Sequence, residues 1–282
     1  MDPGSTTPRP QREVELIHDP SPAIRSTSRL IRRVVAILDV LEATPGLHLT
    51  EIARATGIPK PSCHRLLHAM QAGHLVVRDG LTYSLGPRLM VYTSTAFRRH
   101  PLRPRGRPWL RGLTEQTGLV ATLSVRCGGF RLTLGLEGDS PAGYHWASGS
   151  LAVLYAGAAS KVLVAWLPAH EREELLSETD RVPLTEHTPV AAASLEAEWA
   201  RVRRQGWASS VGERIPGVFS VAVPVLDESG RVVAALAVSG RDACDADRAF
   251  PELLGYLWPA GEGFSRQLGF SGSYPPRQSE YR

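Results

Sequence analysis

Residues 50–73, TEIARATGIPKPSCHRLLHAMQAG, constrain this chain more than any other stretch, because they encode two short helices that cannot merge into one. Thr50 and the acidic Glu51 suit a helix start, where a hydroxyl accepts orphan N–H groups and a carboxylate complements the helix dipole. Ile52, Ala53 and Ala55 add a small apolar face. Gly57 tolerates the left-handed conformation that closes a helix, and Ile58-Pro59 cannot continue it. Lys60-Pro61-Ser62 opens a second helix with a proline in the first turn, where its missing N–H costs nothing. Along that helix Cys63, Leu66, Leu67 and Met70 recur at helical spacing as one buried stripe, and Gly73 ends it. The opposite face is polar and shows Lys60, Ser62, His64, Arg65, His68 and Gln71.

Two strand-like runs follow at once, Leu75–Arg78 and Leu81–Leu85, with Asp79-Gly80 between them suited to a type I′ hairpin turn. Upstream, Leu30, Val34, Ile37, Leu38 and Leu41 repeat at helical spacing and predict a helix that roofs the pair, with Arg29, Arg32 and Arg33 placed for phosphates. Three helices, a glycine turn and a hairpin in this order spell a winged helix-turn-helix, whose second helix enters the major groove of DNA. The candidate contacts are Lys60, Ser62, His64 and Arg65 near bases or phosphates, His68 further along the same face, and Arg78 on the wing.

Charge points the same way. Between Arg25 and Arg111 there are fifteen Arg and Lys against four acids, Asp39, Glu42, Glu51 and Asp79. The remainder of the chain's 32 basic and 28 acidic residues is net acidic, 17 against 24. Neutralising phosphates needs local rather than global positive charge, so this asymmetry suits a nucleic-acid reader fused to a domain with a different task.

At 282 residues the chain is long enough for two domains. Residues 1–26, rich in Pro, Ser, Thr and Arg, read as a flexible tail, and 27–88 as the winged helix-turn-helix. Residues 89–108 read as a linker helix and joint, with Leu89, Met90, Tyr92 and Phe97 on the helix and the stretch from Pro101 to Pro108 interrupting it. A second domain over 109–270 starts near Trp109, and 271–282 reads as a disordered tail. In that domain two alternating runs, from Leu119 and from Phe130, turn at Gly128-Gly129 and predict a hairpin. Helices are expected over 158–167 and 170–177, over a stretch headed by Ser194 and closed by Gly206, and over 251–268. The strands Val218–Leu226 and Arg231–Ser239 are apolar almost throughout, which implies a sheet covered on both faces or closed around a pocket. The fold class is α+β.

Catalytic constellations are missing from the pattern. His170-Glu171-Arg172-Glu173-Glu174 lacks the second histidine of a zinc helix, Gly261-Glu262-Gly263 does not complete a dinucleotide loop, and no GxSxG elbow occurs. Cys63, Cys127 and Cys244 have neither metal-site nor disulfide spacing. The reading is therefore of a non-enzyme with no catalytic or metal residues and no cofactor. No apolar run approaches the roughly 18 residues of a membrane span, and the N-terminus lacks a signal-peptide core, so a cytoplasmic protein is expected.

With both halves in view the chain resembles the IclR family of bacterial transcription regulators over about residues 27–270. The resemblance rests on the helix-turn-helix, on YSLG at 83–86 closing the wing, on YAGAASKVLVAWL at 155–167, and on GWASSVGERIPGVFSVAVPVLDESGRVVAALAVSG at 206–240. It implies a GAF-like α/β effector-binding domain, self-association as a dimer or tetramer, double-stranded DNA as partner, and control by a small organic or aromatic acid. It also implies an effector site at positions matching Ala158, Ala159, Ser210, Ser220, Ala237 and Ser239. This chain departs from the family there: Ser160 replaces a glycine before Lys161, Ser210 and Ser220 stand where some members carry an acid and a thiol, and Ala237 lacks a hydroxyl. Tyr144, Trp146 and Trp207 are candidate cavity aromatics. The alternative reading is a DNA-tethered enzyme or cofactor-binding domain of the same fold.

Overall fold

The computed structural model describes residues 28–139, 148–241 and 246–276, so the expected N-terminal tail and the candidate aromatics Tyr144 and Trp146 lie outside the described residues. The chain divides into two compact units, residues 1–92 and 93–282. The first unit contains α1 (Arg29–Ala43), β1 (Leu47–His48), α2 (Leu49–Thr56), α3 (Lys60–Ala72), β2 (Val76–Asp79) and β3 (Thr82–Leu85), and α4 (Pro87–Arg99) runs across its end. Ile37 and Leu41 from α1, Ile52 from α2, Cys63, Leu67 and Met70 from α3, and Val76 and Tyr83 from the hairpin close one small core. Leu30, expected in the α1 stripe, is 58% exposed, and the buried stripe begins a turn later at Val34.

Two local details differ from expectation. α2 starts at Leu49 rather than Thr50, because the Glu51 carboxylate reaches back and accepts the His48 N–H at 2.8 Å. In the wing Asp79 pairs with Thr82, so the two-residue loop is Gly80-Leu81 and not Asp79-Gly80. Gly80 has φ +57° while Leu81 keeps a negative φ, the pattern of a II′ turn with glycine first. The hairpin is widened to three strands by β1, which pairs with β3.

The second unit contains α5 (Leu102–Thr117), β4 (Val120–Cys127), β5 (Phe130–Glu137), β6 (Leu151–Val153), α6 (Ala158–Ala165), α7 (Ala169–Glu178), α8 (Ala192–Gln205), β7 (Ala208–Val211), β8 (Val218–Leu226), β9 (Val232–Arg241) and α9 (Ala246–Gln267). The six strands form one antiparallel sheet in the order β6-β5-β4-β9-β8-β7. Both faces of its central strands are covered. Ala121, Leu123, Val221, Val223, Leu236 and Val238 pack against α5 and α9, while Ala208, Ala222, Ala235 and Ala237 pack against α6 and α8. Alternation along each strand sends neighbouring residues to opposite layers.

The Arg- and Pro-rich segment is helical rather than a break. Pro101 caps α5 and Pro104 falls in its first turn, where backbone N–H groups have no partner to lose. Gly106, Leu110 and Leu113 then form a buried stripe while Arg105, Arg107 and Arg111 stay exposed. α9 begins ahead of Pro251, because Phe250 joins Leu253, Leu254 and Leu257 in the core. Within the described part of the expected C-terminal tail, Ser271–Ser273 are exposed but Tyr274–Pro276 are packed: the Tyr274 hydroxyl donates to the Pro224 carbonyl at 2.8 Å, and Pro275 lies against Gly206.

Candidate nucleic-acid interface and ligand site

α3 is built to show one face. Gly57 at φ +65° ends α2, Pro59 caps α3, and the Cys63 N–H donates to the Pro59 carbonyl at 2.9 Å, so Pro61 sits where no bond is forfeited. Cys63, Leu67 and Met70 are buried, and burial pushes the Cys63 thiol pKa up. Lys60, His64, Arg65 and His68 are exposed on the other side, and Ser62 is half-buried at its edge. On α1, Arg29 and Arg32 are exposed and Arg33 is half-buried. Arg78 is engaged by its own wing: its Nε donates to the Gly80 carbonyl at 2.8 Å, and its guanidinium lies 5.7 Å from the Tyr83 ring centre. It braces the hairpin and still exposes positive charge.

The ligand-site candidates come together on the α6-facing side of the sheet. Ser210 is opposite Ser220, and Ser220 is opposite Ser239, so three hydroxyl side chains form one row across β7, β8 and β9. The next row, two residues along each strand, is Ala208, Ala222 and Ala237, and its small side chains belong to the core under α6. Period-2 alternation therefore turns the serines to the same layer. Ser210 and Ser239 are each 6% exposed, and among the described residues none of the three hydroxyls has a hydrogen-bond partner.

All eight residues of α6 are buried. The chain enters it through Gly157, whose φ of +95° requires glycine and whose missing Cβ leaves room for the Arg214 stem. The Lys161 N–H makes the first intrahelical bond, to Gly157, while the N–H groups of Ala158 and Ala159 find no acceptor among the described residues. The Gly157 N–H itself donates to a side chain, the Glu213 carboxylate, at 2.9 Å. Lys161 donates to Glu213, to Glu198 at 2.9 Å and to the Ser209 carbonyl at 2.9 Å, which ties α6 to α8 and to the end of β7. Burial works against the Glu198 carboxylate, yet hydrogen bonds and attraction from Arg201 and Lys161 outweigh it and hold its carboxyl pKa at about 2. Ser160 is accommodated because its hydroxyl donates to the Val153 carbonyl at 2.8 Å.

Both halves match known protein families. The model of the bacterial transcriptional regulator IclR C-terminal domain matches residues 94–266, more than half the chain, and that of the IclR helix-turn-helix domain matches residues 30–80. The chain belongs to the IclR family of transcriptional regulators. Among relatives, the HTH-type transcriptional regulator BhcR of Paracoccus denitrificans is 31% identical over 215 residues, covering 75% of this chain and 77% of that protein. XynR of Escherichia coli is 29% identical over 244 residues, covering 85% and 97%. Of the solved structures, an IclR homologue from Microbacterium hydrocarbonoxydans complexed with 4-hydroxybenzoate shares the fold with a TM-score of 0.69 at 22% identity, over 85% of this chain and 98% of that one.

Against this regulator's geometry the candidate residues sort clearly. Lys60, His64, Arg65 and His68 share one exposed helix face, and Ser210, Ser220 and Ser239 share one row. Trp207 does not join them. It packs in the opposite layer, edge-on to Phe250 with ring centres 6.1 Å apart. The charged cluster of Lys161, Glu198, Arg201 and Glu213 escaped the sequence reading, although a lone lysine inside the apolar run AASKVLVA demands a buried partner.

Proposed function

We propose that this IclR regulator binds operator DNA as a dimer or a pair of dimers in the cytoplasm, represses transcription from its target, and changes its DNA affinity when a small organic or aromatic acid enters the site between α6 and the serine row. Residues 27–88 act as reader, 89–108 as linker and 109–270 as effector domain. Lys60, Ser62, His64 and Arg65 meet bases or phosphates in the major groove, Arg29, Arg32 and Arg33 hold the backbone, and His68 and Arg78 extend the contact. The second unit binds a ligand and performs no turnover.

One observation carries the ligand reading: two buried helix-start amides and three hydroxyls, all without partners among the described residues, sit on the same side of the sheet. Buried donors are seldom left unpaired in proteins, and a carboxylate suits amides at a helix start. The relative complexed with 4-hydroxybenzoate supports an acid of this size. To act as a switch the effector must bind the DNA-competent and DNA-incompetent geometries with different affinity. A gel-shift titration against the gene's own upstream region, repeated with small carboxylic and aromatic acids, tests both halves. Retardation that one acid relieves or enhances is the expected result.

A further inference from the structure

The second unit carries a positive face of its own. Resting on the DNA-binding reading above, we propose that the exposed side of α5, with Arg105, Arg107 and Arg111, is a second DNA-binding surface that holds phosphates without reading bases.

The sequence supplies the charge and the helix gathers it. From Gly80 to Thr114 the chain has seven arginines and no acidic residue, whereas residues 112–282 hold 15 Arg and Lys against 20 Asp and Glu. Because this segment is helical, Gly106, Leu110 and Leu113 turn inward and the arginines between them turn out. Arg107 and Arg111 follow each other by one turn on one flank of the exposed arc, and Arg105 stands on the other flank. The three lie within about 9 Å along the axis. That is inside the screening length of about 10 Å at 0.1 M salt, so their fields add. Arg103 is turned to its own unit instead, where its Nε donates to the Leu134 carbonyl at 3.2 Å.

Folding alone does not account for these positions. Arg105 closes the first turn of α5, where the positive end of the helix dipole disfavours a cation, and that turn holds no acid to offset it. Arg105 has no ionic partner among the described residues. Arg107 meets Glu137 at 3.3 Å and Arg111 meets Glu115 at 3.9 Å, yet the two arginine side chains stay 74% and 68% exposed, and ion pairs so exposed contribute little. Both guanidinium groups are therefore open to exchange these carboxylates for phosphates. DNA is the polyanion that the chain itself brings near. α4 leads from the reader's wing to α5 with only His100 and Pro101 between the two helices, so DNA gripped by the reader meets this face as a tethered partner. A contact too weak to capture free DNA then still adds affinity.

Full-length protein is titrated by fluorescence anisotropy with a duplex from its own upstream region and with a scrambled duplex of equal length, at salt from about 50 to about 200 mM. The triple variant Arg105→Gln, Arg107→Gln, Arg111→Gln should keep the wild-type melting temperature and reduce the slope of log affinity against log salt by about two to three contacts per protomer. It should weaken both duplexes by the same factor, at least about tenfold at low salt, because a phosphate contact serves every sequence alike. Arg204→Gln, which removes an exposed arginine from α8, should leave the slope as it is. An unchanged slope in the triple variant overturns the proposal, as does a loss confined to the upstream duplex or an equal loss with Arg204→Gln. Arg65→Glu separates this contact from the reader. If it leaves binding unchanged while the triple variant flattens the slope, the reader assignment falls and the α5 contact stands, and the converse result removes α5 alone.

Discussion

Helices α3 and α6 carry the proposed DNA-reading face and the proposed ligand site, and they are built on opposite plans. α3 buries a single stripe, Cys63, Leu67 and Met70, and leaves its polar face outside. α6 has no outside: all eight of its residues are buried, including Lys161 and Ser160. The first plan suits a partner too large to enclose, the second a ligand that is surrounded. The consequence for stability follows. Substitutions on the exposed face of α3 should change binding and leave folding alone, whereas polar substitutions around α6 should be felt by the fold itself.

The largest expected effect falls on α6. Lys161→Met removes the shared partner of Glu213 and Glu198, both themselves substantially buried, and should lower unfolding free energy by about 3–5 kcal/mol in denaturant titration. A loss under about 1 kcal/mol would show that the cluster is no more than a surface pair and erase the contrast with α3. Acid offers an independent test of the same cluster. The Glu198 carboxyl is held at about 2 against an ordinary 4.5, so its folded pKa is depressed. The stability it contributes is complete above about pH 4.5 and is lost as pH falls towards 2. Glu198→Gln should flatten that part of the stability–pH curve, and an unchanged slope would contradict the assignment.

Gly86→Ala tests whether the first unit has any comparably unforgiving position. A Cβ there would lie 2.1 Å from the His74 carbonyl oxygen, so backbone must move, and a loss of about 1–3 kcal/mol is expected by thermal melting. Arg65→Glu should be silent in that experiment. It should instead weaken DNA binding about tenfold at low salt and reduce the slope of log affinity against log salt by about one contact. Unchanged affinity would remove α3 from the interface, and a lowered melting temperature would show that its polar face is structural.

What could be read from sequence divides along the same line. The α3 face, the Gly57 stop and the two wing strands were legible because each depends on residues within a few positions, where helical spacing and strand alternation act directly, although the wing turn falls one residue later than Asp79-Gly80 suggested. The α5 helix was obscured by Pro101, Pro104 and Pro108, although Gly106, Leu110 and Leu113 carry its stripe and the first two prolines fall where helices tolerate them. The Lys161 cluster was not legible, since Glu198 lies 37 residues away and Glu213 lies 52 away, and only the fold brings them to one ammonium. The serine row lies between these cases. The resemblance named Ser210, Ser220 and Ser239, but strand register makes them a row, and the lack of partners for their hydroxyls among the described residues is a property of packing alone.

The central claim joins the two helices: what the buried one binds decides what the exposed one holds. The direct test is the affinity of the full-length protein for its own upstream DNA, measured at fixed salt with and without a ligand shown by calorimetry to bind, and with Ser220→Ala as control. A shift of about 5- to 150-fold in DNA affinity, diminished in the variant, is the predicted result. DNA affinity that stays the same at saturating ligand would contradict it.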